Sequence, residues 1–269
     1  MLVTTVKKWI LLLMITFPFA GMAQVTPLPH AHAHNDYWHE RPLLDALDHG
    51  FTSVEADVLL IDDELYVGHD MPEGNHQLPT LREAYLEPLR KRINQHGGAV
   101  YPGYDDPIYL MIDIKTDAQD TYNRLKVVLQ PYQAILSRSV SGTYQPGAVT
   151  IFLSGNRPIE QVQQDLAPLV GIDGRPEDLE QGYSATFMPV ISQHFQGVLD
   201  WDGTQPISRK QRRTLERLTQ QAHQEGKKVR LWATPENPLV WKTLLEGGVD
   251  FLNTDQLADL QQFLEQQSE

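Results

Sequence analysis

Side chains able to do hydrolytic chemistry gather in three short stretches: His34-Asn35-Asp36-Tyr37, Glu55-Ala56-Asp57-Val58 running on to Gly68-His69-Asp70, and Asp113-Ile114-Lys115. Glu55, Asp57 and Asp113 are hard oxygen donors of the kind that hold Mg²⁺ or Ca²⁺. His34 and His69 can move a proton near neutral pH, and Lys115 adds a positive charge. Two imidazoles, three carboxylates and an ammonium suit metal-assisted cleavage of a phosphodiester, provided the fold brings them together.

Each stretch lies in or at the end of a segment that reads as a strand. Candidate strands are Ala31–His34, Ser53–Leu60, Ile108–Ile114, Val149–Leu153, Leu169–Ile172, Phe187–Ser192, Lys228–Ala233 and Val249–Asn253. Candidate helices are Pro42–His49, Leu81–Gln95, Ala118–Leu136, Ile159–Leu166, Arg209–Glu225, Pro238–Glu246 and Gln256–Gln266. Eight strand-like segments alternating with helices predict a (β/α)8 TIM barrel in a single domain. The fifth unit is the weakest, since only the Gly- and Pro-containing run 171–182 follows its strand. A doubly wound open sheet is the alternative, but no Gly-x-Gly-x-x-Gly follows a strand. Barrel active sites gather at the C-terminal strand ends. Glu55 and Asp57 share one face of their strand by parity, here the interior, where two carboxylates need a cation. Asp113 and Lys115 share a face too, with side chains expected to run parallel rather than meet. The turn at Asp62-Asp63 is expected to return the chain so that His69 stands over the same mouth.

The N-terminus reads as a cleavable signal peptide over residues 1–23. Lys7 and Lys8 precede an apolar run from Trp9 to Phe19, and Gly21 and Ala23 occupy the small-residue cleavage positions. Residues 24–269 are then the barrel domain, and the expected localisation is exported, periplasmic or secreted. The apolar run is too short to span a bilayer, so no stable membrane insertion is expected. Cysteine is absent, which excludes disulfides and a lipidated cysteine. The formal charge of −13 becomes more negative once Lys7 and Lys8 leave. An acidic chain without a basic tract argues against nucleic acid and anionic lipid surfaces. A small anionic substrate remains compatible if a bound cation reverses the local field. No protein partner is evident.

His30, His32 and His34 share parity and suggest a second reading, a zinc amidohydrolase-like or histidinol-phosphatase-like hydrolase, with His194 and Asp255 as further ligands. A non-catalytic barrel that binds a phosphorylated ligand is the third. Trp232 and Asn253, ending the seventh and eighth strands, are candidates to line the mouth and hold a head group, or else to pack at the rim and cap a helix.

The chain resembles the glycerophosphodiester phosphodiesterases and phosphatidylinositol-specific phospholipases C. His34-Asn35-Asp36-Tyr37 is similar to the phospholipase segment in which a catalytic His precedes a metal-ligating Asn. Ser53 to Val58, followed by Asp63 to Asp70, is similar to the phosphodiesterase core with its metal-binding Glu and Asp and second His. Leu78 to Glu83 resembles the opening of the next helix, and Asp113-x-Lys115 the third-strand acid and lysine of spider-type sphingomyelinase D. Gly248 to Asp255 resembles the eighth-strand pattern. The opening His-Asn-Asp-Tyr is shared with relatives of the fungal altered-inheritance-of-mitochondria protein 6. Two departures stand out: Asn35-Asp36 replaces the Arg-Gly of typical glycerophosphodiesterases, and Asp113 replaces a Glu. The resemblance implies one divalent cation, Mg²⁺ or Ca²⁺, on Glu55, Asp57, Asp113 and Asn35. It implies His34 and His69 as acid and base, Lys115 as electrostatic aid, and a small-molecule or lipid phosphodiester as substrate.

Overall fold

Eight parallel strands close on themselves: β1 (Leu28–Ala33), β2 (Phe51–Ile61), β3 (Ile108–Ile114), β4 (Val149–Gly155), β5 (Gly171–Gly174), β6 (Val190–His194), β7 (Lys228–Trp232) and β8 (Phe251–Thr254). The computed structural model describes residues 25–74, 77–140 and 143–267; the expected signal peptide lies outside them. Each strand pairs with its sequence neighbour, and β1 pairs with both β8 and β2, which closes the barrel. The predicted TIM barrel is the fold, and every candidate strand overlaps one of the eight.

The sequence explains why both faces of these strands are covered. In β2, Val54, Ala56 and Val58 point outward under the helices and are fully buried, while Ser53, Glu55 and Asp57 point inward and are buried too. The helices are α1 (Leu44–Asp48), α2 (Glu87–Gln95), α3 (Ala118–Leu129), α4 (Ile159–Gln164), α5 (Phe195–Val198), α6 (Arg209–Gln224), α7 (Pro238–Glu246) and α8 (Leu257–Gln267). Asp117, Ser208 and Asn237 cap α3, α6 and α7 through their side-chain oxygens. The main apolar core lies between helices and strands. Inside the barrel the apolar cluster is small, comprising Met111, Phe152, Val190 and Phe251 with Tyr109 against them. Toward the C-terminal strand ends the interior turns polar.

Several local features differ from expectation. The helix expected over Leu81–Gln95 opens with a π-helical turn at Arg82–Leu86 before α2. The one expected to reach Leu136 stops at Leu129, and a short 3-10 turn containing Pro131 follows. After β5, by contrast, the weak fifth unit is as expected: a 3-10 turn at Pro176–Asp178 stands in place of a helix. Arg138–Val140 and Thr143–Gln145 pair as an antiparallel ribbon outside the barrel that the sequence does not announce. The turn at Asp62-Asp63 does form. Both residues have positive φ, 48° and 60°, and the return strand Glu64–Val67 pairs antiparallel with the end of β2.

Candidate active site

Strand register sets the carboxylates side by side. Asp57 of β2 is opposite Asp113 of β3, and Glu55 is opposite Met111. Glu55, Asp57 and Asp113 each bring one oxygen within 4.8 Å of the others, the arrangement required of ligands to one ion. Gly155, at the end of β4 with φ +64°, allows this approach, because a Cβ there would stand 2.2 Å from Asp113 Oδ1.

The carboxylates are undercompensated. Lys115 Nζ lies 3.1 Å from both Asp57 Oδ2 and Asp113 Oδ1. This corrects the expectation that Lys115 would not meet Asp113: the residue lies just beyond the end of β3, so its side chain turns back over both acids. Arg230, buried in β7, donates from Nη2 to Glu55 Oε2 at 3.2 Å. One carboxylate still lacks a full partner, and Asp57 Oδ1 is buried without a hydrogen bond. Burial, reinforced by the charge of Glu55, pushes the Asp57 carboxyl upward against the pull of Lys115. Burial likewise takes Asp113 up to about 6, again against Lys115. Hard oxygen donors, a buried orphan oxygen and raised acids together fit one divalent cation.

The loop after β1 supplies the other functional groups. Asn35 takes a left-handed conformation, φ 48° and ψ 35°, that few residue types tolerate. Its amide nitrogen donates to Asp255 Oδ1 at 3.2 Å. The same carboxylate oxygen lies 2.7 Å from His34 Nδ1. A carboxylate only accepts, so the tautomer that bonds Asp255 carries its proton on Nδ1. Asn35 Nδ2, 2.8 Å from the same nitrogen, is then a close contact rather than a second hydrogen bond, and Nε2 is left as the acceptor 3.9 Å from Glu55 Oε2. Burial alone would lower the His34 pKa, but the Asp255 hydrogen bond and the charge of Glu55 outweigh it, and the net direction is upward. Asp36 is wholly buried, accepting from Leu43 N and from Tyr85 Oη at 2.8 Å, which pins the loop. Tyr37 Oη lies 2.8 Å from Asp57 Oδ2 and 3.1 Å from Asn35 Oδ1, so its single proton goes to the nearer carboxylate or is shared between two proposed ligands.

A cavity of about 730 Å³ opens above these groups at the C-terminal strand ends. His34, His69, Lys115 and Trp232 line it, so the return strand does bring His69 to the mouth. Gly68 N donates to the Asp57 carbonyl at 3.0 Å and ties that turn to β2. His69 is half exposed, with Nδ1 3.1 Å from Asp70 Oδ1. Trp232 meets His194 edge to face, ring centroids 4.5 Å apart, following the β6–β7 register. Asn253 is corrected. It is buried inside the barrel rather than at the mouth, and its Oδ1 accepts from Arg230 Nε at 2.9 Å, which holds the guanidinium against Glu55. A larger cavity of about 930 Å³ lies at the N-terminal strand ends, lined by Tyr109, Lys228 and Asp250, far from the acids. We place the chemistry at the smaller one, where the titratable groups converge.

The three histidines of β1 do not form a joint site. Four residues of extended chain separate His30 from His34, about 13 Å of strand. His30 Nδ1 instead meets the Asp250 carbonyl at 2.9 Å at the opposite end. His32 is fully buried, with Nδ1 2.7 Å from Ser53 Oγ and Nε2 3.6 Å from Glu55 Oε2. Burial, then the charge of Arg230, drives its pKa well below the usual value, so it is neutral. His194 Nδ1 accepts from Gln196 N at the start of α5 and Asp255 serves His34, and among the described residues the ligand atoms grouped closely enough for one ion are those of Glu55, Asp57 and Asp113, not of the histidines. Sequence reasoning missed Arg230, Tyr37, Gly155 and the His34–Asp255 pair; only the nearness of Asp255 to the eighth strand hinted at the last.

Comparison with known proteins bears on the fold and the family of the chain. The model of the AIM6-like phosphodiesterase domain matches residues 21–168. The altered inheritance of mitochondria protein 6 homolog of Arthroderma benhamiae is 30% identical over 260 residues, covering 86% of this chain and 82% of its own. Altered inheritance of mitochondria protein 6 of Lachancea thermotolerans is 29% identical, covering 88% of this chain and 66% of its own. Among solved structures, a glycerophosphodiester phosphodiesterase from Parabacteroides distasonis superposes with a TM-score of 0.58 at 18% identity, covering 89% of this chain and 98% of that one.

Proposed function

Because the chain belongs to the family of AIM6-like phosphodiesterase domains, we propose that it is a metal-dependent phosphoric diester hydrolase working by histidine acid/base catalysis. The observation that carries the reading is the convergence of Glu55, Asp57 and Asp113 beneath a cavity walled by His34 and His69. The three carboxylates, with Asn35 Oδ1 linked to Asp57 through Tyr37 Oη, would hold one Mg²⁺ or Ca²⁺. When bound, the ion supplies Lewis-acid polarisation of a phosphoryl oxygen and favours ionisation of the attacking hydroxyl.

The side chains divide the remaining work. His34 Nε2 accepts or returns a proton on one side of the phosphate, oriented by Asp255 through Nδ1. His69 serves the leaving or attacking oxygen on the other side. Lys115 pulls Asp57 and Asp113 toward ionisation against their burial and adds positive charge where the transition state gathers negative charge. Trp232 offers an apolar wall for a glycerol, head-group or acyl portion. A glycerophosphodiester or phospholipid-type diester fits this open, mixed polar and aromatic mouth. Export follows from the residue 1–23 leader if it is cleaved.

The test is hydrolysis of a panel of phosphodiesters, water-soluble and lipid, with and without chelator. Activity should vanish in excess chelator and return with Mg²⁺ or Ca²⁺. Full turnover under chelation, or tightly held zinc in the purified protein, would overturn the metal assignment.

A further inference from the structure

A second polar arrangement, on the β4–β6 side of the same cavity, has no part in holding the ion or moving protons. Asp173 of β5 is completely buried. Its Oδ2 accepts from Ser154 Oγ of β4 at 2.8 Å, and its Oδ1 accepts from Ser192 Oγ of β6 at 2.6 Å. Arg175 Nη1 also donates to Oδ2 at 2.8 Å and to the Gly174 carbonyl at 2.9 Å. Three adjacent strands thus fix one carboxylate, and that carboxylate fixes one guanidinium.

Arg175 lines the cavity alongside Asp113 and Lys115. Among the described residues, the hydrogen bonds of its guanidinium leave from Nη1 alone. A guanidinium carries five N–H groups in a rigid fork, so the Nε and Nη2 edge is uncommitted. The other cations here are engaged, Lys115 by Asp57 and Asp113 and Arg230 by Glu55 and Asn253. On the outer side, Asp178 accepts from Arg175 N at 2.7 Å and faces Arg157 at 3.7 Å. A cation anchored by one nitrogen, with a bidentate edge left over, is a preorganised receptor for a tetrahedral oxyanion.

Resting on the phosphodiesterase reading, we propose that Arg175 binds the non-bridging oxygens of the substrate phosphate through its Nε and Nη2 edge. Asp173, Ser154 and Ser192 are positioning residues for that guanidinium. The site therefore selects for an anionic phosphate centre with two oxygens open to one face, and Arg175 contributes to ground-state binding as well as to turnover.

The experiment compares wild type, Arg175→Gln and Arg175→Lys in Mg²⁺-containing buffer. It measures KM and kcat on a chromogenic phosphodiester, inorganic phosphate binding by calorimetry, and melting temperature. Arg175→Gln should raise KM and weaken phosphate binding by about 10- to 100-fold, the loss expected for a charged hydrogen bond, in a protein that still folds but melts lower because buried Asp173 loses its cation. Arg175→Lys should recover only part of this, because a point charge lacks the fork. Wild-type KM and phosphate affinity in folded Arg175→Gln would overturn the proposal while leaving the phosphodiesterase reading intact. Should Arg175→Gln fail to fold, wild-type phosphate affinity in Arg175→Lys overturns it instead. If wild type cleaves no diester yet phosphate binding weakens in Arg175→Gln, the phosphodiesterase reading falls and the anion subsite stands.

Discussion

The strands of the barrel bury carboxylates in two regions and treat them in opposite ways. On β5, Asp173 has both oxygens met by serines from neighbouring strands and by Arg175. On β2 and β3, Glu55, Asp57 and Asp113 crowd together with Lys115 and Arg230 as their two fixed cations, and one Asp57 oxygen has no partner. The residue types match and Asp57 lies about as deep as Asp173, yet the first region is complete and the second is in electrostatic deficit. Neither a buried acid nor one orphan oxygen by itself marks a functional site, since wholly buried Asp36 has both; three acids converging on one point with two fixed cations do, because a further cation relieves them.

The contrast can be broken first at Glu55. Glu55→Gln should lower phosphodiester turnover on the order of 10²–10³-fold and remove calorimetric Mg²⁺ or Ca²⁺ binding while the fold persists. Wild-type turnover in this variant would move the centre elsewhere. Asp173→Asn should do the reverse. It leaves Arg175 beside a neutral amide and is expected to cost about 3–5 kcal/mol in urea unfolding, with cation affinity nearly unchanged. A neutral outcome in unfolding would mean that the β5 network does not anchor the barrel.

Asp113 sharpens the comparison through pH. Its carboxyl titrates at about 6 in the folded protein against 3.8 for the ordinary group. Between those values the folded chain holds a proton that the unfolded chain has released. Stability of the cation-free protein therefore falls as pH rises through that window and stays lower above it. Asp113→Asn removes this penalty, so in chelator at pH 7 it should be more stable than wild type by on the order of 1–3 kcal/mol. The two should converge near pH 4. A variant less stable than wild type at pH 7 would show that the carboxylate is not held at a cost.

Much of the site was legible because its logic is local. Parity alone turns Glu55 and Asp57 to one side of β2, and four large aliphatics around Asp113 are implausible company for an acid unless the strand is buried on both faces. The Asp62-Asp63 turn was legible for the same reason, since two consecutive residues tolerant of positive φ mark a tight hairpin. The β1 histidines misled because parity says which face a side chain takes but not how far apart two such residues lie along it. Asn253 misled because the end of a strand points either to the mouth or to the interior, and Arg230 drew it inward.

The alternation of apolar runs and helical stripes, and the ordered acids and histidines within it, determined by themselves that this is a barrel with a candidate metal centre. Which groups touch was decided only by closure of the barrel. Arg230 reaches Glu55 across 175 residues of sequence, and Asp255 reaches His34 across 221. Periodicity is a property of neighbouring residues, and it specifies the facing of each strand. Charge compensation depends on distance in space, and for residues this remote only the packed register of eight strands sets that distance.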